Sequence, residues 1–308
     1  MFEERRVHNM ITDDAFEKYC KAGEIAARVR EEMKRTIKED MPIINICDKA
    51  EEMIKNMGGK PAFPCNVSIN EIAAHYTSPM NDEKRVPKGS LVKVDVGVQI
   101  DGYIADTAIT VCFDPEYEGM IHAAEQALET AIKIIRPGIS TSQLGSEIQR
   151  VIEQCGFKPV SNLTGHQIGR YMIHAGKSLP NVSHLTANRI NEGEVYAIEP
   201  FVTLKDAAGR VKNGSESYIF RFIKRRPLKS AESLDLLKYI EKNFYTLPFA
   251  ERWLKEFFYK RQYRCAFSNL LESKCLVAYP VFVEVSQKRV AQAEHTVYVR
   301  SDGAVVMT

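Results

Sequence analysis

An α+β fold is expected for this chain, and three observations lead there. Helical and β-like periodicities come in groups instead of strict alternation, which disfavours a doubly wound parallel sheet. The β-like runs fall in pairs that read as antiparallel. Between two of them lies Asp101-Gly102, a dipeptide favoured in two-residue hairpin turns.

The elements follow in order. A helix is expected from Asp13 to about Ile37, capped by Thr12, with Phe16, Tyr19, Ile25, Ala26 and Val29 as its apolar stripe. A second runs from about Ile46 to Met57 and stops at Gly58-Gly59. Two more span Glu116 to Ile135, ended by Pro137-Gly138, and Ser142 to Cys155, ended by Gly156. Strands are expected at Leu91–Ile100, Tyr103–Cys112, Val195–Leu204, Val281–Val285 and His295–Val299. The stretch 207–275 differs in character. Ser230 can cap a helix to about Phe244, Pro248 suits the first position of another through Phe258, and a third short one covers Ala266 to Leu271. From Arg221 to Arg264 this stretch carries twelve Lys/Arg against five Asp/Glu. Three helices followed by strands resemble a winged-helix module, and the basic excess fits either a solvated face or a nucleic-acid or ribosome contact.

Composition excludes several classes. With 44% hydrophobic and 27% charged residues the chain is an ordinary globular one. A net charge of +2 supplies no whole-protein basic field. No apolar run reaches the roughly 18 residues of a membrane span, and Met1-Phe-Glu-Glu-Arg-Arg6 lacks a signal-peptide core. Seven widely spaced cysteines without a C-x-x-C argue against a disulfide framework or zinc ribbon, and for a reducing cytoplasm.

Chemistry concentrates in the hairpin. If Asp101 and Gly102 form the loop, paired residue numbers sum to 203, so Gly97 faces Asp106 and Asp95 faces Ala108. Side chains alternate along a strand, which puts Asp95 and Asp106 on one face as diagonal neighbours, roughly 7–8 Å apart at the backbone. Val94, Val96, Val98 and Ile100 then point into a core. Two like charges on one face call for a cation, a nearby Arg or Lys, or exposure to water. An echo supports a shared centre: Gly89-Ser-Leu-Val-Lys-Val-Asp95 is matched by Gly193-Glu-Val-Tyr-Ala-Ile-Glu199, each with an upstream histidine, His75 and His174. It reads either as two ordinary strand starts or as two related halves whose carboxylates meet. His166 lies in a glycine-containing turn, Glu199 ends an apolar run before Pro200, and Glu294 precedes a late strand. Two Asp, two Glu and one His suit a pair of divalent first-row ions.

These residues carry a family resemblance. Gly59-Lys-Pro-Ala-Phe-Pro64, Asn66-Val-Ser-Ile-Asn-Glu-Ile-Ala-Ala-His-Tyr-Thr77, Val94-Asp-Val-Gly97, Ala105-Asp-Thr-Ala108, Gly165-His-Gln-Ile168, Ile173-His174, Ala197-Ile-Glu-Pro200 and Ala293-Glu-His-Thr296 together resemble type 2 methionine aminopeptidase, in its short archaeal form, over nearly the whole chain. The resemblance implies a pita-bread fold of two pseudo-symmetric halves around a curved antiparallel sheet. The catalytic domain would comprise residues 1–206 and 276–308, interrupted by a helical insertion at 207–275. It implies two divalent ions (Co, Mn, Fe, Zn or Ni) activating a water. Asp95 would hold one ion, His166 with Glu199 the other, and Asp106 and Glu294 both, with Glu199 also the general base. It implies His75 near the scissile amide, His174 near the developing oxyanion, Phe63 and Ile173 lining the methionine pocket, and Tyr218 closing it. The expected reaction is removal of the initiator methionine from nascent chains with a small second residue. A cytoplasmic monomer is expected, with the basic insertion toward the ribosome. A proline dipeptidase and a non-catalytic ribosome-binding paralogue are the rivals.

Overall fold

The computed structural model describes residues 11–185, 188–259 and 262–308. Lys260 and Arg261, two of the cations counted in the basic stretch, lie outside these. Helices α1 (Asp13–Thr36) and α2 (Ile43–Asn56) open the chain, and Thr12 caps α1 by accepting from the Ala15 N–H at 3.3 Å. Strands β1 (Lys60–Pro61), β2 (Asn66–Ile69), β3 (Ile72–Ala74), β4 (Leu91–Ile100) and β5 (Tyr103–Cys112) complete a first half. The second half repeats the plan with α3 (Glu118–Ile134), α4 (Thr141–Gln154), β6 (Lys158–Pro159), β7 (Thr164–Ile168), β8 (Ser178–Pro180), β9 (Val195–Ile198) and β10 (Phe201–Thr203). Next come β11 (Val211–Phe222), α5 (Ala231–Phe244), β12 (Phe249–Ala250), α6 (Lys255–Phe258) and α7 (Tyr263–Glu272). The chain closes with β13 (Leu276–Glu284), β14 (Val290–Gln292), β15 (His295–Arg300) and β16 (Gly303–Val306).

The two halves use the same device. In the first, the even-numbered residues Val92, Val94, Val96 and Val98 of β4 pack into a core with Ile25, Ala26 and Val29 of α1 and Ile46 and Ile54 of α2. In the second, Tyr196, Ile198, Val297 and Val299 pack against Met120 and Ala123 of α3 and Leu144 and Ile148 of α4. Strand β2 pairs with β4 as β7 pairs with β9, and β4 pairs with β5 as β9 pairs with β15. Each sheet thus has a helix-covered back and a front left free for chemistry.

A narrow seam joins the halves. Ala108 and Glu294 exchange backbone hydrogen bonds at 3.4 and 3.1 Å. Two residues to either side, a threonine hydroxyl stands in for the ladder. Thr296 Oγ1 accepts from the Asp106 N–H at 2.7 Å and donates to the Asp106 carbonyl at 2.8 Å. Thr110 Oγ1 does the same for Gln292, at 2.8 and 2.7 Å. All of these side chains are buried.

Several expectations need correction. The run Val195–Leu204 is two strands, because Pro200 lacks an N–H and the ladder breaks at Glu199-Pro200. The stretch from Ala207 opens not on helix but on β11, the longest strand. Its polar sequence Lys-Asn-Gly-Ser-Glu-Ser217 has no apolar alternation, and pairing with β13 supplies what local pattern does not. Strand β13 likewise starts at Leu276 rather than Val281. No single helix runs from Pro248 to Phe258: Phe249–Ala250 pair with β11, and a 3₁₀ turn at Glu251–Leu254 leads into the short α6. Burial of Phe249 against Phe244 and Phe220 outweighs the local helix signal. Helix α2 starts at Ile43, α4 is capped by Ser140 with Gln143 in a capping box, and α7 is longer than expected. Among the described residues no helix is long and apolar enough to cross a membrane.

Replacing Thr296 with Val leaves the buried Asp106 N–H and C=O without partners. At about 1–3 kcal/mol for each orphaned group, a loss of about 2–6 kcal/mol is expected in urea denaturation, with Thr296→Ser close to wild type. A Val variant as stable as wild type would show that the seam is not held by that hydroxyl.

Candidate metal centre

The hairpin sets the first two donors. Asp101 and Gly102 both have positive φ, +50° and +87°, as a primed two-residue turn requires, and the register pairs Gly97 with Asp106 and Asp95 with Ala108. The sum of 203 holds along the full ladder, so both aspartates face the front of the sheet. Gly97 is required for a separate reason. A Cβ there would lie 2.2 Å from the Phe63 ring, which rests on this backbone and is held against the cavity.

The remaining donors sit where ladders stop. His166 lies mid-strand in β7, paired with Ala197, and Glu199 follows in the break before Pro200. Glu294 occupies the gap between β14 and β15 and is brought to β5 by the seam. His166 Nε2 lies 3.6 Å from Asp106 Oδ2 and 3.4 Å from Glu199 Oε1. Donor atoms of Asp106, His166 and Glu294 all fall within 4.8 Å of one another.

One cavity of about 80 Å³ collects every residue singled out from the sequence except Tyr218: Asp95, Asp106, His166, Glu199 and Glu294 with His75, His174, Phe63 and Ile173. Tyr218 lines a neighbouring groove, where its hydroxyl donates to Glu216 at 2.6 Å and its ring meets Tyr76 edge-on. The next residue of β11, Ile219, faces the cavity instead, as strand alternation dictates. Asn66, Ala74, Pro248 and Tyr279 also line it and were not anticipated. Asn66 lay inside a motif already singled out. Ile219 and Tyr279 arrive through the β11–β13 pairing, which has no local signature.

The histidines are positioned from opposite sides. His174 packs edge-on against His166, ring centroids 4.5 Å apart. His75 is held across the cavity with a positive φ of +66°, its Nδ1 3.3 Å from the Pro280 carbonyl oxygen and its ring 4.5 Å from that of Phe282. Burial pushes His166 down to about 3 and His75 down to about 4, and lowers His174 as well, so all three are neutral near pH 7.

Four carboxylates therefore converge. Among the described residues no Lys or Arg lines the cavity. Asp106, His166 and Glu294 are only 3%, 6% and 2% exposed. Burial pushes Asp95 up to about 7. Burial, with the neighbouring negative charges, holds Asp106, Glu199 and Glu294 well above the usual carboxylate range. Asp95 Oδ1, Asp106 Oδ1 and His166 Nδ1 are buried without a hydrogen-bond partner. A set of hard oxygen donors plus a neutral imidazole, each with capacity to spare, fits first-row divalent metal. Bound metal supplies the positive charge that this arrangement otherwise lacks.

Residues 17–301 match the model of metallopeptidase family M24. The chain belongs to this family. A methionine aminopeptidase from Methanothermobacter thermautotrophicus is 44% identical over 295 residues, covering 95% of this chain and 98% of that protein. This places the chain among the methionine aminopeptidases of the family. Among solved structures, a thermophilic Arx1 superposes with a TM-score of 0.84 at 18% identity, covering 96% of this chain and 91% of that one. A methionine aminopeptidase from Thermotoga maritima superposes with a TM-score of 0.70 at 24% identity, covering 97% and 98%. The fold is the pita-bread fold, and the paired halves described above are its two leaves.

The protonation behaviour makes a testable statement. A carboxyl raised from about 3.9 to about 7, as Asp95 is, contributes stability that is complete below the unfolded value and lost as pH rises through the folded one. The buried histidines oppose this only below their ordinary value of about 6.5. Metal-free protein is therefore expected to lose stability as pH rises from 6.5 to 8. Because Mn²⁺ displaces those protons, the Tm increase it produces should be larger at pH 8 than at pH 6. Calorimetric melts with EDTA and with Mn²⁺ check this, and a metal-induced shift that shrinks with rising pH would contradict it.

Proposed function

We propose that the convergent carboxylates and His166 form the dinuclear centre with which this chain removes N-terminal methionine by metal-dependent hydrolysis. The observation that carries the reading is the meeting of Asp95, Asp106, Glu199, Glu294 and a neutral His166 at one buried point without a compensating cation. In this reading Asp95, Asp106, His166, Glu199 and Glu294 would hold the ions. Bound metal would supply a water of lowered pKa and positive charge for the scissile carbonyl.

The chain's own residues do the rest. Glu199, at the lip of the β9 break, takes the proton of the attacking water on its carboxylate. His174, neutral and edge-on to His166, donates an N–H to the carbonyl oxygen as negative charge develops there. His75 stands near the scissile amide. Phe63 and Ile173 are buried on the apolar front with Ile168 and Ala197 and receive the methionine side chain. The small cavity disfavours a bulky second residue.

The reading takes the working unit as a monomer. It places the reaction in the cytosol, in keeping with seven unpaired cysteines. It assigns residues 207–275 as an insertion subdomain on the catalytic domain. Lys224, Arg225, Arg226 and Lys229 are exposed between β11 and α5, where they suit ribosomal RNA. Co-sedimentation with ribosomes should weaken with salt and on changing these residues to Glu. Binding indifferent to both would remove that assignment.

Activity is tested with Met-Ala-Ser, Met-Leu-Ser and Ala-Pro in the presence of Mn²⁺. Methionine release is expected from the first, much less from the second, and little cleavage of the third. Faster turnover of Ala-Pro would point to a dipeptidase instead. His174→Ala should lower kcat by roughly 10²–10³-fold with little change in KM. An effect confined to KM would contradict the oxyanion role.

A further inference from the structure

Three pieces of the cavity wall contribute no metal donor and run directly into buried chain: Phe63 with Asn66, Ala74 with His75, and Pro248. All three are tied to one buried ion pair that lies outside the cavity. Glu51 of α2 and Arg252 of the 3₁₀ turn are 4% and 3% exposed. Arg252 Nη2 donates to Glu51 Oε1, while Nη1 donates to Thr77 Oγ1 at 2.8 Å and to the Ser78 carbonyl at 3.0 Å. Thr77 Oγ1 in turn donates to the Cys65 carbonyl at 2.7 Å, and the Cys65 N–H donates back to Glu51 Oε1 at 3.1 Å. The hydrogen bonds form a closed ring, Glu51–Arg252–Thr77–Cys65–Glu51. The Trp253 indole donates to the other oxygen of Glu51 at 2.7 Å.

Stability alone is a poor reason for such a ring. A buried ion pair is often no better than well-packed apolar residues of the same volume. What it does provide is fixed geometry, since the planar guanidinium fork specifies several acceptors at once. Each tied residue sits a short step from a cavity residue: Cys65 lies between Phe63 and Asn66, Thr77 follows His75 by two, and Arg252 follows Pro248 by four. His75 itself has a left-handed backbone, φ +66°, which a non-glycine residue keeps only where its surroundings over-determine it.

We propose that the Glu51–Arg252 ring is a positioning device for the hydrolysis, holding the His75 loop and the Phe63 segment in register with the metal donors and tying both to the insertion. The proposal rests on the function assigned above. Arg252 and Thr77 touch no substrate; they act through His75 and Phe63.

Thr77→Val tests it, because it opens the ring without stranding the buried charge pair. Expected are an unchanged Mn²⁺ affinity by calorimetry, a near-native melt, and a kcat on Met-Ala-Ser lowered roughly 10- to 100-fold. Thr77→Ser should restore the rate. In a His75→Ala background, Thr77→Val should cost markedly less than it does alone. The double change Glu51→Gln, Arg252→Met should behave as Thr77→Val does. Asp235→Ala, which breaks the exposed Asp235–Lys238 pair of the same insertion, should leave kcat unchanged. Wild-type kcat and KM in Thr77→Val, or an equal loss with and without His75, would overturn the positioning role. A wild-type protein that releases no methionine would instead overturn the assigned reaction, and this role with it.

Discussion

The structure depends on a seam a few residues long, where Ala108 and Glu294 pair across the two halves and two threonine hydroxyls replace the flanking ladder bonds. Two sheets that merely abutted would leave unpaired backbone at their junction, which is costly when buried. The Thr110 and Thr296 hydroxyls, each both donor and acceptor, satisfy that backbone and hold the strands apart by one side chain. The same seam brings Asp106, from the first half, and Glu294, from the end of the chain, to a common point. Fold closure and assembly of the site are therefore one event.

What gathers there is electrostatically unfavourable for the chain alone. Four carboxylates, Asp106 and Glu294 buried and Asp95 and Glu199 partly so, face one neutral imidazole, and desolvation drives their protonation upward. A packed core behind each sheet supplies the stability that this front does not. Val94, Val96 and Val98 on one side, and Tyr196, Ile198 and Val297 on the other, anchor the strands to paired helices. Rigidity at the back lets the front carry like charges within a few ångströms. Binding of divalent metal turns that repulsion into affinity, so a liability of the fold becomes the source of its chemistry.

The stretch from β11 to α7 completes the cavity wall. Strand β11 and the residue before β12 bring Ile219 and Pro248 to the cavity, and the 3₁₀ turn sends Arg252 toward Thr77 and Glu51 of the first half. A walled cavity matters for hydrolysis at a free N-terminus. Excluding bulk water strengthens every interaction aimed at the scissile amide and limits what side chain the second residue can carry.

Much of this could be read from the residues in order. The Asp101-Gly102 turn determined the β4–β5 register, and with it the shared face of Asp95 and Asp106, because side-chain alternation leaves no freedom once the turn is set. Helix α1 carried its own cap and stripe and α5 its cap, and the Asp95–Glu199 echo offered paired halves as one of two readings. Other features had no local cause. Strand β11 is a polar run that becomes a strand only when β13 lies beside it, and Phe249 leaves its helix because a pocket between Phe244 and Phe220 buries it better. Which face of β11 meets the cavity, Ile219 and not Tyr218, was settled by that pairing. The sequence alone determined the donors and the hairpin that carries two of them. Only the tertiary structure decided that Glu294, His166 and the Arg252 ring arrive at the same place, because contacts between residues distant along the chain depend on the packing of whole elements and leave no periodicity to read.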